Sequence, residues 1–113
     1  METRVTVISD THCRHGEIDL PAGDLLIHCG DMFDLFSQAP QRMFSRTPNR
    51  IAEMDAWFGR QRFERVLCIG GNHDRELESA LTRWPQPFRN AHFLQDETVD
   101  YRGLKIFGAS WVP

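Results

Sequence analysis

The sequence predicts an α/β fold in which successive strands deliver polar side chains to one end of a sheet. Three short apolar runs predict it: Val5–Ser9, Leu25–Cys29 and Val66–Ile69. Each has strand length, and each is followed by chemistry. The first delivers Asp10 and His12, the second Gly30 and Asp31, and the third Gly70-Gly71-Asn72-His73-Asp74. Open α/β sheets place their sites beyond such strand ends. Glycines there let the backbone turn sharply and approach a ligand closely.

The elements follow in order. Arg4–Ser9 alternates β-branched residues and reads as a first strand. Residues 10–19 have no period and read as loop, and Leu20–Gly23 is a turn before the second strand, Leu25–Cys29. A parallel crossover needs about a dozen or more residues. The first gap only just supplies them, so that connection reads as mostly loop. Residues 31–46 are irregular, with Phe33, Phe36 and Phe44 expected at the surface. Thr47-Pro48 starts a helix, with Thr as N-cap and Pro at the first helical position. Ile51, Met54, Trp57 and Phe58 then recur at helical spacing and form its core face, and Gly59 falls near its end. The third strand is Arg65–Ile69. Glu76–Leu81 reads as a short helix stopped before Pro85 and Pro87. His92–Leu94, Thr98–Tyr101 and Leu104–Phe107 read as short strands, the last two joined by a turn at Arg102-Gly103.

A chain of 113 residues suggests one small domain, residues 1–113. The net charge of −3 gives no electrostatic case for nucleic acid or an anionic membrane. Cys13, Cys29 and Cys68 form neither a C-x-x-C pair nor an even set, which argues against a disulfide framework and a structural zinc site. Cys29 and Cys68 are expected in core strands as small hydrophobes. The N-terminus lacks a secretory pattern and no run approaches membrane-spanning length. The expected location is the cytoplasm. The segment Gly108–Pro113 is apolar, ending as if more chain should follow.

The polar residues at the strand ends suit divalent metal chemistry. Asp10 and His12 are two apart, a spacing that in extended chain projects both to one side. Asp31 has two oxygens and can bridge two ions, and Asn72 offers a neutral amide oxygen. Mixed carboxylate, imidazole and amide ligation suits manganese, iron, zinc or magnesium. Two such ions about 3.5–4 Å apart clamp a phosphoryl group and generate hydroxide at neutral pH. His73 stands beside that clamp as a proton donor to the leaving oxygen, and Asp34 is placed to orient it. Blander readings exist for the single residues. An Asp after a strand is also a common turn residue or helix cap, and Gly-Gly-Asn-His also suits a tight turn. His28 reads as a packed strand residue, His15 and His92 as exposed, and Asp74 as a helix cap or ligand neighbour. The conjunction of three clusters favours the metal reading.

Asp10-Thr11-His12, Gly30-Asp31 with Asp34, and Gly71-Asn72-His73-Asp74 resemble the first three sequence blocks of the calcineurin-like metallophosphoesterases. Ser9–His12, Leu26–Asp31, Phe93–Asp96 and Gly108–Pro113 are most like the metallophosphoesterase-domain-containing subgroup, which is similar to small cyclic-nucleotide phosphodiesterases. The resemblance implies the N-terminal half of a four-layer α/β/β/α sandwich with a dinuclear site at the strand ends. It implies Asp10 and His12 on the first metal, Asp31 bridging, Asn72 on the second, and His73 with Asp34 at the leaving group. Asp74 stands where the family often has Glu. The family's later Gly-His and Gly-His-x-His blocks have no counterpart after Asp74, so the chain reads as truncated at its C-terminus. The function expected is hydrolysis of a small phosphodiester such as a cyclic nucleotide. The alternative is an inactive remnant, or one half of a split enzyme acting as an interaction module. The partner expected is the missing C-terminal half or a second copy, drawn to an uncovered apolar face. A nuclease or protein phosphatase stands behind both readings, and the acidic balance argues against the nuclease.

Overall fold

The computed structural model describes residues 2–33, 47–71, 74, 77, 81 and 85–110. Two sheets form. In the first, β1 (Val5–Ile8), β2 (Gly23–His28), β3 (Phe63–Cys68) and β4 (His92–Phe93) lie side by side in chain order, every neighbouring pair parallel. In the second, β5 (Glu97–Tyr101) and β6 (Leu104–Gly108) form an antiparallel hairpin. The helix α1 (Thr47–Arg60) links β2 to β3. The link from β1 to β2 is loop apart from one short 3-10 turn at His15–Glu17, as the length of the gap requires.

The pleat divides the core in two. Leu26, Val66 and Cys68 face α1 and pack with Ile51, Met54, Trp57 and Phe58, the stripe legible from its spacing. Each such fully buried side chain contributes about 1.5–3 kcal/mol. Leu25 and Leu67 face the other way and pack with Leu94 and Tyr101, Val99 and Ile106 joining from the hairpin. Successive residues of one strand therefore feed opposite layers. The parallel sheet lies between α1 and the hairpin, as the expected N-terminal portion of a layered α/β domain requires.

Three expectations need correction. β2 ends at His28, so Cys29 falls beyond the strand and is exposed. Phe33 is buried, because the loop after β2 folds back onto the α1 layer. His15 and His92 are half-buried: His15 stacks edge-on against Trp57 at 5.6 Å, and His92 Nε2 lies 3.4 Å from Glu97. The expected helix at 76–81 falls largely outside the described residues, though the Leu81 N–H donates to the Leu77 carbonyl at 2.9 Å with helical spacing.

Candidate functional site

The register of the sheet brings the strand ends level. Ile8 pairs with His28, and His28 with Cys68. The chain beyond each strand therefore emerges at the same edge. The Asp10 N–H donates to the Gly30 carbonyl at 3.0 Å, and the His12 N–H to the Asp31 carbonyl at 3.2 Å. The first two loops are thus laced together through their backbones. The third presses against the second. A Cβ on Gly30 would stand 2.7 Å from the Gly71 nitrogen, and one on Gly71 would overlap the Asp31 carboxylate. Glycine is required at both positions by close approach, and Gly30 also has φ +98°.

Asp10, His12 and Asp31 are held in left-handed backbone, which corrects the extended chain expected across Asp10 and His12. Their φ values are 57°, 45° and 56°, and the neighbouring Cys13 has 66°. A non-glycine residue there costs on the order of 1–3 kcal/mol and persists only where surrounding structure enforces it. Here it falls on the loops that carry the polar cluster. Asp and His tolerate this region better than most residues.

Asp10, His12 and Asp31, three of the expected ligands, lie on the loops at this edge. His12 Nε2 lies 3.6 Å from Asp10 Oδ1, and Asp31 is near enough to Asp10 to influence its carboxyl group. The Ser9 hydroxyl donates to Asp10 at 2.7 Å and is the main influence holding that carboxyl below its usual range. Burial opposes this, while Asp31 and His12 add to it. Neighbouring carboxylates repel unless a proton or a cation lies between them. The donor set of two carboxylates and an imidazole fits a hard divalent ion. Among the described residues, no three acidic, histidine or cysteine groups converge into a ready cage. Asn72, His73 and Asp34 lie outside the described residues.

Residues not singled out as ligands tie this edge together. Asp74 is fully buried. Its Oδ1 accepts from the Phe33 N–H and its Oδ2 from the Gly71 N–H, both at 2.9 Å. It therefore joins the second loop to the third, a role beyond the helix cap expected of it. Burial pushes its carboxyl pKa up, and the backbone donors of Gly71, Phe33 and Met32 pull against that. Ser110 takes the Gly70 N–H at 3.0 Å and donates to the Leu94 carbonyl at 3.2 Å. Sequence spacing gives no sign of the links from Asp74 to Phe33 and from Ser110 to Gly70 and Leu94, because those partners are far apart in the chain. A cavity of about 390 Å³ opens elsewhere, at the start of β3, lined by Phe63, Arg65, Phe88 and His92 among others. None of Asp10, His12 or Asp31 lines it.

The family model for calcineurin-like phosphoesterases matches residues 3–110. The chain belongs to this family. Among its relatives are the human and mouse metallophosphoesterase domain-containing protein 1, each 30% identical over 134 residues. That match covers 98% of this chain and 38% of the relative. A UPF0046 protein of Caenorhabditis elegans is 26% identical, over 97% of this chain and 42% of its own length. This phosphoesterase-family chain therefore spans less than half the length of those relatives. No helix among the described residues is long and apolar enough to cross a membrane.

Proposed function

We propose that this chain supplies the first ligand loops of a metal-dependent phosphoesterase that hydrolyses small phosphodiesters, such as cyclic nucleotides, at a pair of divalent ions. Family membership supports the phosphoesterase class. The observation that carries the reading is the lacing of the Asp10–His12 loop to the Asp31 loop by backbone hydrogen bonds at adjacent strand ends, with His12 Nε2 3.6 Å from Asp10 Oδ1. Asp10 and His12 would hold one ion, Asp31 would reach both, and Asn72 would hold the second. Bound there, divalent ions supply Lewis-acid charge and lower the pKa of water. The protein's own part is orientation. The backbone links between the loops fix the carboxylates before substrate arrives, which saves reorganisation at the moment of reaction. His73 donates a proton to the leaving oxygen, and Asp34 orients it. The three free cysteines accord with a reducing compartment, and we place the protein in the cytoplasm.

The test is hydrolysis of bis-p-nitrophenyl phosphate with added Mn²⁺, comparing the chain with Asn72→Ala. Turnover that disappears in the variant is the expected result. Equal turnover in the two removes Asn72 from the site. A folded chain that binds Mn²⁺ without turnover favours a second reading, in which the chain is one half of a split enzyme. The exposed Val5 and Val7 on β1 favour that reading, since they leave part of one sheet face uncovered.

A further inference from the structure

We propose that His28 and Thr11 are positioning residues that set the spacing between the loop carrying Asp10 and His12 and the loop carrying Asp31. The proposal rests on the reading that these three residues hold a divalent ion. His28 is fully buried at the end of β2, its ring edge-on to Phe58 at 6.2 Å. The Gly30 N–H donates to its Nδ1 at 3.1 Å. A backbone amide cannot accept, so Nδ1 is the acceptor and the ring proton sits on Nε2. The Nε2–H therefore donates to Thr11 Oγ1, 3.0 Å away. The Thr11 hydroxyl keeps its own proton for the Met32 carbonyl, at 3.4 Å. One backbone amide thus sets the direction of every link in the chain.

The placement of the links gives them their consequence. Thr11 lies between Asp10 and His12 and is itself buried, at 5% exposure. Met32 follows Asp31, and Gly30 precedes it. The hydrogen bonds therefore grip the middle of one ligand pair and both sides of the other ligand. A histidine needed only to fill space between α1 and the sheet would not require a donor on Nε2. Burial also keeps the ring neutral, its pKa pushed down to about 4, so the tautomer is stable at neutral pH.

Two readouts test this in wild type, Thr11→Val, Thr11→Ser and His28→Gln. The first is Mn²⁺ affinity by electron paramagnetic resonance titration. The second is amide hydrogen exchange at His12 and Cys13, whose N–H groups donate to the Asp31 and Met32 carbonyls, normalised to the Leu94 amide in the sheet. Valine keeps the volume of Thr11 and deletes the hydroxyl. It is expected to weaken Mn²⁺ about tenfold or more and to speed exchange at both amides, while Thr11→Ser stays near wild type. Glutamine places an amide nitrogen where Nε2 stood, so His28→Gln is expected to retain most of the affinity. Wild-type affinity and exchange in a folded Thr11→Val overturns the proposal. So does a Thr11→Ser that falls as far as valine. Should Thr11→Val not fold, retention of affinity by Thr11→Ser and His28→Gln supports the brace, and loss in both overturns it. Should wild type bind no Mn²⁺, the reading of the site fails, and the exchange comparison decides the brace alone.

Discussion

His28 makes the folded protein sensitive to acid. Free imidazole takes its proton near pH 6.5, while burial, aided by His15 and opposed by Asp10, delays His28 to about 4. Between those values the unfolded chain binds more protons than the folded one, so stability is full above about pH 6.5 and falls as pH drops toward 4. The loss is on the order of 3 kcal/mol across the window. Asp74 runs the other way near its own titration, because its raised pKa lets the folded state take that proton first. Urea midpoints measured from pH 7 to 4 should therefore fall more steeply for wild type than for His28→Gln, which keeps Asp74. Parallel curves would remove His28 as the cause. A second prediction concerns Asp74 itself. Both of its oxygens accept backbone N–H groups, and asparagine would turn an amide N–H₂ toward one of those donors. Asp74→Asn should lower stability by about 1–3 kcal/mol. An unchanged denaturation midpoint would mean these bonds contribute nothing. Neither role was legible in the sequence. Hydrogen bonds between residues 17 or 41 apart leave no period to detect. The left-handed backbone at Asp10, His12 and Asp31 is equally silent, since Asp and His enter it without the signature that glycine carries.

At the scale of elements the sequence was far more informative, because periodicity reports burial. The Ile51, Met54, Trp57 and Phe58 stripe fixed the face of α1, and the three apolar runs located β1, β2 and β3 to within three residues. The errors fell at strand ends, where hydrogen bonding and not hydrophobicity decides the boundary. β2 stops at His28 because the ring nitrogen and the Gly30 turn take over, and Cys29 is left outside. The irregular stretch after Asp31 carried no pattern, so the burial of Phe33 could not be read from it. The hairpin was legible from Arg102-Gly103. Both residues have positive φ, at 48° and 85°, as a two-residue hairpin turn with right-handed strand twist requires. Trp57 carries the prediction here. It is buried at 3% exposure between His15 and Phe58, so Trp57→Ala should cost about 3–5 kcal/mol in urea denaturation. A loss below about 1 kcal/mol would contradict the packing of α1 on the sheet.

Among the described residues, the parallel sheet has one face covered by α1 and the other covered in part by the hairpin. In register, Val5 pairs with Leu25 and Val7 with Ile27, so all four point to the hairpin side. The hairpin reaches Leu25 and Ile27, while Val5 and Val7 remain 41% and 59% exposed. Val7→Lys should leave the melting temperature within a few degrees of wild type and raise the concentration at which light scattering begins. A large loss of stability would show Val7 to be buried in solution. The relatives of this phosphoesterase-family chain are more than twice its length, and the activity proposed here belongs to the complete arrangement of loops around the strand ends. The part of the proposal that belongs to this chain alone is a cation site at the ends of β1 and β2, around Asp10, His12 and Asp31.

The most direct measurement is a Mn²⁺ titration of the intact chain by electron paramagnetic resonance, beside Asp31→Asn and a surface control, Glu17→Gln. Saturable binding is expected in wild type and the control, and it should weaken by well over tenfold in Asp31→Asn, which loses one of the two carboxylate charges at this edge. Binding that is absent in wild type, or unchanged in Asp31→Asn, would contradict the account.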